Sequence, residues 1–469
     1  MFRTKSLLVM LLLTTTVVEH YGQDTNIHDR NKIVIRNRSG FSSFDVEVRG
    51  KVELTDDDKD IKSMSPDGYL EVRKTVFGSR RALVISPDGG GLKKEYYEGR
   101  TKVAFEPAGR QWMAEILPEL VRSTTIGAES RVERFFKKGG APAVMGEIER
   151  LESNYVKSYY ANLLMKQPIG PREYPGIIDR MAETMDSNYY LAGFLKKNMG
   201  VFIKSNQALV AAFRATSGMD SDHYKTEVIK TGLGTDPIPL DAVKIILESA
   251  GTMDSDHYKT EVLTSLLGQA KLNDDIMGEM INTTRTIDSD YYRSVVLKKA
   301  LDKKGLSNTS FQKALESIND IDSDHYKTEV LTSLLQEPIP NDLQVRLISI
   351  TGSIDSDHYS TMVLEEMLKN QSVDDQVFYQ LISQASTRES DFYASEVLKY
   401  ALSKDLDDSK LIALLNAAGH IGSDYYLSSI LIEAAPKVKN ATVRKAYESA
   451  ARNIDSETYY GRAMKALSN

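Results

Sequence analysis

Asp254-Ser255-Asp256-His257-Tyr258-Lys259-Thr260-Glu261-Val262 is the stretch that decides the fold, because it recurs along most of the chain. Asp220 to Val228 and Asp322 to Val330 repeat it letter for letter. We number its residues from position 1 (Asp254) to position 9 (Val262). The position-2 serines of the ten copies are Ser153, Ser187, Ser221, Ser255, Ser289, Ser323, Ser356, Ser390, Ser423 and Ser456. Their spacing is 34 residues six times and 33 residues three times, a period typical of stacked-repeat proteins.

Each copy predicts a pair of helices. Apolar residues from Leu240 to Ala250 share one side of a helix, and Gly251 is suited to ending it. The motif then starts a second helix, where Asp254 or Ser255 is expected to accept hydrogen bonds from the free amides of the first turn. Asp256 adds negative charge that the helix dipole favours. The broad apolar face that follows indicates two-helix units stacked in register.

A tyrosine occupies position 5 in nine of the ten copies. A buried ring with a hydroxyl group needs a hydrogen-bond partner, so we expect a ladder of bonds from these tyrosines to motif carboxylates of the same or the next repeat. The motif residues to which the sequence assigns this structural role are Asp220, Asp222, Tyr224, Asp254, Asp256, Tyr258, Asp288, Asp290, Tyr292, Asp322, Asp324, Tyr326, Asp355, Asp357 and Tyr359.

Position 4 raises the question of a metal site, since it holds His223, His257, His325 or His358 beside the motif acids. Other copies carry tyrosine, phenylalanine or threonine there, and these cannot serve equally as ligands. Equivalent groups on stacked helices, roughly 8 to 10 Å apart, do not converge on one ion. The pattern favours helix capping, and it predicts no metal, no cofactor and no catalytic residue.

The N-terminal third shows a different period. Phe44 to Arg49, Tyr69 to Arg73, Arg81 to Ile85 and Lys94 to Glu98 read as strands of an antiparallel meander with four to six strands. The acidic run from Thr55 to Asp60 lacks the ligand spacing of a helix-loop-helix calcium site, so it is interpreted as a solvated turn. The glycines at 89–91 indicate a tight turn rather than a phosphate loop.

The resulting fold class is α+β overall and mostly α. Four segments are predicted: a signal peptide at 1–23, an antiparallel β module at 24–108, a capping helical pair at 109–138 that ends before two glycines, and an α-solenoid of about ten helical hairpins at 139–469. Arg3 and Lys5 ahead of the apolar run from Leu7 to Val18 indicate the export signal, although no Ala-x-Ala-like cleavage site follows. The alternative is an uncleaved N-terminal anchor.

Composition excludes several classes of function. The 469 residues include no cysteine, which removes disulfides, thiolate chemistry and cysteine-type zinc sites. A net charge of -7 over this length argues against nucleic-acid binding. No Gly-x-Ser-x-Gly, phosphate-binding or zinc-peptidase motif is present, so we expect a protein that is not an enzyme.

Two resemblances add to this interpretation. Asp288 to Leu297 looks like the second helix of HEAT-type repeats, in a shortened form. Val52 to Ile61, Ser65 to Tyr69 and Trp112 to Glu119 resemble the non-catalytic extracytoplasmic region of bacterial antirepressor-type membrane metallopeptidases related to beta-lactam sensors. The chain departs from that family because it has no His-Glu-x-x-His and no bundle of membrane spans, so no peptidase activity is implied.

The expected function is therefore that of an exported scaffold, periplasmic or secreted at a bacterial envelope, that binds a protein or peptide partner through the solenoid surface. The chain is expected to be a monomer, with no nucleic-acid partner and no membrane span after export. The alternative is a sensor or regulatory module of the cell envelope without peptidase activity, which rests on the resemblance to the antirepressor peptidases.

Overall fold

A computed structural model describes residues 23–24, 32–39, 41–234, 238–269, 272–303 and 306–468. The predicted signal peptide, apart from its last residue, lies outside these ranges. The chain divides into two compact units between Phe194 and Leu195. We call them unit 1 and unit 2 and describe each by itself.

Unit 1 begins with an antiparallel sheet. Its strands are β1 (Gln23–Asp24), β2 (Lys32–Ser39), β3 (Ser42–Arg49), β4 (Val52–Leu54), β5 (Ile61–Met64), β6 (Tyr69–Val76), β7 (Ser79–Asp88), β8 (Gly91–Glu98) and β9 (Thr101–Val103). Seven strands form a meander in the order β1-β2-β3-β6-β7-β8-β9, and β4 and β5 form a separate hairpin between β3 and β6. The four predicted strands lie in β3, β6, β7 and β8.

Alternation along the strands explains how the sheet folds. Val46 and Val48 of β3 are buried while their neighbours are partly exposed, because successive side chains of a strand point to opposite faces. The turn between β7 and β8 contains Gly89 and Gly90 at φ of 55° and 99°, a backbone region that glycine adopts without steric cost. The glycine run is therefore a hairpin turn, as predicted.

One helix covers the buried face of this sheet. Helix α1 (Arg110–Ser123) contributes Trp112, Met113, Ile116 and Leu117 to the same apolar core as the strands. The spacing of these residues places them on one side of the helix.

Unit 1 continues with α2 (Ala128–Ile148), α3 (Asn154–Leu164) and α4 (Tyr174–Thr184), and α5 (Asn188–Phe202) runs through the division into unit 2. The sequence predicts that the second helix ends before the glycine pair, whereas α2 resumes beyond it. Gly139 and Gly140 leave the helical conformation, with Gly140 at φ 63°, and Pro142 lies in the first turn of the resumed helix. Proline is tolerated there because the first amides of a helix have no partner within the helix.

Unit 2 is built from helical hairpins. Its further helices are α6 (Asn206–Ser217), α7 (Asp222–Gly232), α8 (Leu240–Gly251), α9 (Asp256–Leu267), α10 (Asp274–Thr283), α11 (Asp290–Leu301), α12 (Asn308–Asn319), α13 (Asp324–Leu334), α14 (Asn341–Thr351), α15 (Asp357–Asn370), α16 (Asp375–Ser386), α17 (Asp391–Leu402), α18 (Asp408–Ala418), α19 (Asp424–Ala434), α20 (Ala441–Ala451) and α21 (Glu457–Ser468). The odd-numbered helices start with the motif, and we call them motif helices; the even-numbered ones are partner helices.

The hairpins of unit 2 stack in two layers. Motif helix α9 packs against α7 and α11, while partner helix α10 packs against α8 and α12. Val262, Leu263, Leu266 and Leu267 of α9 are all buried, as expected for a helix that contacts its own partner and both neighbouring repeats. The chain is thus α+β and mostly α, a repeat arrangement of helices that follows a small sheet. No helix among the described residues is long and apolar enough to cross a membrane. The predicted four-segment division stays a prediction.

Candidate functional site

The motif lies at the turn into each motif helix. Ser255 has extended backbone angles, φ -88° and ψ 115°, and the helix begins at Asp256. The serine side chain makes no capping hydrogen bond in this copy, and Ser356 makes a long one of 3.5 Å to the amide of Tyr359. The capping role predicted for the position-2 serine is therefore largely unfilled.

The position-3 aspartate instead joins one repeat to the next. The carboxylate of Asp256 accepts a hydrogen bond of 2.7 Å from the backbone N–H of Ser289, the serine of the following motif. The position-3 aspartates that make this bond in unit 2 are Asp222, Asp256, Asp290, Asp324, Asp357 and Asp424, at 2.7 to 2.9 Å. These bonds involve a charged acceptor and are about twice as strong as neutral ones. We call each of them an Asp joint.

Position 6 supplies a second connection between repeats. Lys259 is only 6% exposed, and its ammonium group donates to the carbonyl oxygen of Thr286, at the end of the next repeat's partner-helix segment. Cations are favourable there because the last carbonyls of a helix carry partial negative charge. Where position 6 is Ser360, Arg388 from the following repeat donates to the serine hydroxyl at 2.9 Å. The basic group at this contact can thus come from the motif helix itself, as with Lys259, or from the following repeat, as with Arg388.

The tyrosines at position 5 do not form the expected ladder to aspartates. Among the described residues from Tyr258 to Tyr459, none of the position-5 hydroxyls hydrogen-bonds a carboxylate of the motif. The hydroxyl of Tyr258 lies 3.4 Å from Nδ1 of His223, in the preceding repeat. The position-3 carboxylates are already engaged by backbone amides of the next repeat, and the position-5 tyrosines are only partly buried.

Replacing Tyr258 by phenylalanine should therefore change the free energy of unfolding by less than about 0.5 kcal/mol, as for most surface changes. The reason is that only the long contact with His223 is lost. Urea unfolding followed by circular dichroism measures this. A loss near 1 kcal/mol, the usual net value of an intramolecular hydrogen bond, would show that the hydroxyl has a stronger partner than the structure gives it.

Positions 4 and 5 together form a continuous row of rings along unit 2. Each position-4 ring lies 5.0 to 5.3 Å from the tyrosine beside it and 5.7 to 6.0 Å from the tyrosine of the next repeat, measured between centroids. We call this row the aromatic ladder. In chain order its rings are His223, Tyr224, His257, Tyr258, Tyr291, Tyr292, His325, Tyr326, His358, Tyr359, Phe392, Tyr393, Tyr425, Tyr426 and Tyr459.

The aromatic ladder is open to solvent on the position-4 side. Tyr291 is 50% exposed, Phe392 42% and Tyr425 56%, and the histidines of this position are exposed as well. Large aromatic side chains in one contiguous exposed row are unusual on a protein surface that contacts only water, and such patches mark interaction sites.

Charged residues border the ladder on both sides. On one side the position-1 acids are exposed, and among the described residues Asp254, Asp288 and Asp322 enter no ion pair. On the other side glutamates at position 8 pair with lysines of the preceding repeat. Lys196 lies 2.9 Å from Glu227, and its hydrogen bond lowers the pKa of that carboxyl group below its usual range.

A shallow depression lies where ladder and charged border meet. It has a volume of about 310 Å³ and is lined by Lys196, His223, Thr226, Glu227, Lys230, Thr231, Tyr258 and Glu261. The lining combines two aromatic rings with paired charges on one open surface. Such a surface can bind a polar peptide whose apolar or aromatic side chains pack on the rings.

The acidic turn of unit 1 has a structural role that the sequence does not predict. Asp58 is not solvated: its carboxylate accepts hydrogen bonds of 2.9 Å from Arg131 and 2.6 Å from Arg134, both on α2. Arg131 also donates to Glu147 at 2.7 Å and to the hydroxyl of Tyr160. The turn between β4 and β5 is thereby fixed to the helices by a buried network of charges.

The motif and the acidic turn are the two places where the sequence raises the question of a metal site. Across the described ranges, no group of three or more histidine, cysteine, aspartate or glutamate side chains could hold a metal ion. The motif histidines contact aromatic rings and glutamates instead; Nε2 of His325 lies 3.6 Å from Glu329. The expectations that the chain binds no metal and catalyses no reaction stay predictions.

Sequence reasoning missed the aromatic ladder, although a signal for it was present. Variation at position 4 between histidine and other residues argues against a metal site, but it hides what most of these residues share. The occupants of position 4 are aromatic in nine of ten copies, with Thr458 in the last one. Since position 4 follows directly on the helix start, each of these nine rings is expected at the same place in its layer.

Comparisons with known proteins add little to this description. A scan against protein-family models finds no match, and a comparison with curated proteins finds none either. Among solved structures, one similar chain comes from a study of the computational design of self-assembling cyclic protein homo-oligomers. The alignment covers 67% of this chain and 98% of the designed chain, at 9% identity and a TM-score of 0.13. At that TM-score the likeness carries no argument about fold, function or assembly.

Proposed function

We propose that the chain is an exported, non-enzymatic scaffold that binds a protein or peptide partner through the surface of its helical repeats. The observation that carries this proposal is the aromatic ladder, exposed along the motif helices of unit 2. Tyrosine and other aromatic residues are enriched at protein interfaces, where a rigid ring supplies much contact area at a small entropic cost.

The finer features of this proposal come from the sequence. The helical pairs are assigned to a shortened HEAT-like type, and the chain to a bacterial envelope as a periplasmic or secreted monomer. The apolar run from Leu7 to Val18 behind Arg3 and Lys5 supports export. The net charge of -7 and the acidic border of the ladder both speak against nucleic acid as a partner.

Capture of a partner from an envelope extract tests the proposal. The tagged full chain is compared with a variant in which His257 and Tyr291 are replaced by alanine, and with Tyr379→Ala as the matched control. Tyr379 is 39% exposed but lies on partner helix α16, away from the ladder. We expect one partner to be retained by the full chain and by the control and lost by the ladder variant. Equal retention by all three would refute binding through this surface.

A second candidate function is that of an envelope sensor or regulatory module, related to the extracytoplasmic region of the antirepressor peptidases. One feature of unit 1 favours it. Phe41 and Phe77, at two turns of the sheet, are 80% and 83% exposed and stack with their ring centroids 6.0 Å apart. Exposed aromatic pairs of this kind are candidate contact points for another protein.

The same capture experiment separates the two candidates. If the variant with Phe41→Ser and Phe77→Ser loses the partner while the ladder variant keeps it, recognition belongs to the sheet and the second candidate is supported. If the result is the reverse, the scaffold function is supported.

A further inference from the structure

We infer that the aromatic ladder takes a polypeptide segment in the polyproline II conformation that carries a lysine or arginine in each three-residue turn. This inference rests on the proposed function, since it names the chemistry of the partner at the same surface. Spacing, ring chemistry and charge at the ladder each support it.

Spacing is the first argument. Stacked helices lie roughly 8 to 10 Å apart, so the ladder offers an equivalent pair of rings at about that interval. A polyproline II helix has three residues per turn and rises about 3.1 Å per residue, which gives about 9.3 Å per turn. The length of one turn of such a ligand therefore falls within the range expected for one layer of the repeat.

Ring chemistry is the second argument. Polyproline segments dock on surfaces lined with aromatic side chains, where the proline rings pack against them and little conformational entropy is lost. In the ladder, neighbouring rings are mostly tilted or edge-on to each other; His257 and Tyr292, for example, have an interplanar angle of 62°. Between His223 and Tyr258, rings of successive layers, lies the depression of about 310 Å³ described above, which is large enough for a pyrrolidine ring.

Charge is the third argument. An acid occupies position 1 in every layer of the ladder except one, where Gly422 stands. Asp254, Asp288 and Asp322 are exposed, and none of them forms an ion pair in the described part of the chain. Each acid is three residues from the ladder ring of its own motif, so the two lie within roughly 10 Å. A cation once per turn of the ligand would meet one carboxylate and one ring in each layer that has a position-1 acid.

The chain itself places a cation on the ladder. At the last ring, Tyr459, the guanidinium carbon of Arg462 lies 5.4 Å from the ring centroid, which is within cation–π distance. Arg462 occupies position 8 of the last motif, where other copies carry Glu227, Glu261 or Glu329. The end of the ladder thus shows the kind of group that its rings accept.

Fluorescence polarisation with labelled peptides tests the inference on the full chain. The probe consists of repeated Pro-Pro-Arg triplets long enough to span about six layers. We expect saturable binding by this probe and none by the Pro-Pro-Glu analogue. We expect at least about ten-fold weaker binding of a Gly-Ser-Arg peptide, which has the same charge without the stiff backbone. A peptide of the same composition with its prolines and arginines in two blocks should also bind more weakly, because its cations fall out of step with the layers.

Variants of the protein locate the binding. Replacing His257 and Tyr291 by alanine should weaken binding of the Pro-Pro-Arg probe about ten-fold, whereas Tyr379→Ala should leave it unchanged. Replacing Asp254, Asp288 and Asp322 together by asparagine should weaken binding and reduce its dependence on salt, since charges on the surface are screened by ions. Asp241→Asn, an exposed acid on partner helix α8, is the matched control. Unchanged far-ultraviolet circular dichroism confirms that each variant is folded.

Several results would overturn the inference. Equal affinity for the Gly-Ser-Arg and Pro-Pro-Arg peptides would mean that plain charge attraction suffices. An unaltered affinity in the ladder variant would place the peptide elsewhere. Displacement of the labelled probe by an oligosaccharide of N-acetylglucosamine at a lower concentration than by the unlabelled peptide would assign the rings to sugars. If no peptide binds while capture from the extract still depends on the ladder, the ligand class is wrong and the scaffold function stands.

Discussion

Replacing Arg131 by methionine is expected to lower the free energy of unfolding of unit 1 by about 3 to 5 kcal/mol, the usual cost of removing one partner of a buried ion pair. The Arg131 side chain is 2% exposed and lies between Asp58, at 2.9 Å, and Glu147, at 2.7 Å. Without the guanidinium group, the carboxylates of Asp58 and Glu147, both largely buried, lose the positive charge that lies between them. The same change also leaves the hydroxyl of Tyr160 without its donor.

Tryptophan fluorescence during urea unfolding measures this effect. Trp112 is the single tryptophan of the sequence and is buried in the core that joins α1 to the sheet, so its signal reports on unit 1. The matched control is Arg150→Ala: Arg150 lies 3.6 Å from the same Glu147 but is 67% exposed. An exposed pair is worth less than about 1 kcal/mol.

A triple change distinguishes lost charge balance from lost packing. When Asp58→Asn and Glu147→Gln accompany Arg131→Met, no buried carboxylate is left without its guanidinium partner. The amide oxygen of the new asparagine and the carbonyl oxygen of Thr55 can still accept hydrogen bonds from Arg134, so much of the stability should return. If the triple variant is as unstable as Arg131→Met alone, packing of the arginine stem would account for the loss.

Replacing Asp256 by alanine is the second change with a large expected effect, about 1.5 to 3 kcal/mol of unfolding free energy in unit 2. It removes an Asp joint, because the amide of Ser289 loses the acceptor that lies 2.7 Å away. It also leaves Lys259, which is buried and 3.7 Å from Asp256, without its nearest carboxylate.

Asp254→Ala is the matched control for this change, since Asp254 is an exposed aspartate two residues away. It should shift stability by less than about 0.5 kcal/mol. Circular dichroism during urea unfolding gives the free energies, and hydrogen–deuterium exchange of the Ser289 amide shows whether the joint itself has opened. If both substitutions lower the free energy of unfolding by the same amount, the motif acids stabilise the helix start through their negative charge and not through the Asp joint.

The sequence predicts most of the secondary structure because the patterns are local. The alternation in Phe44 to Arg49 becomes β3, and the motif that begins at Asp254 marks the start of α9. Repetition strengthens such a prediction, since each copy gives the same local pattern again. The class of fold, mostly α with a small antiparallel sheet, follows from these patterns alone.

The partners of the charged residues could not be predicted, because they depend on contacts between segments that are far apart in sequence. Asp256 finds its partner 33 residues later, in the backbone of Ser289. Asp58 finds Arg131 after 73 residues. A carboxylate at a helix start can accept a hydrogen bond from the amides of its own helix or from a backbone amide of the next repeat. Which of the two it accepts depends on the distance between the layers.

The Asp joint has a consequence for how a chain of this kind can change in length. Its donor is a main-chain amide, which any residue but proline supplies, so the following repeat needs no matching side chain to accept its predecessor. A gene duplication that inserts one whole repeat would therefore allow an Asp joint to form with the preceding and with the following repeat, without any further substitution. The letter-for-letter identity of the motifs at Asp220, Asp254 and Asp322 is what such copying would leave behind.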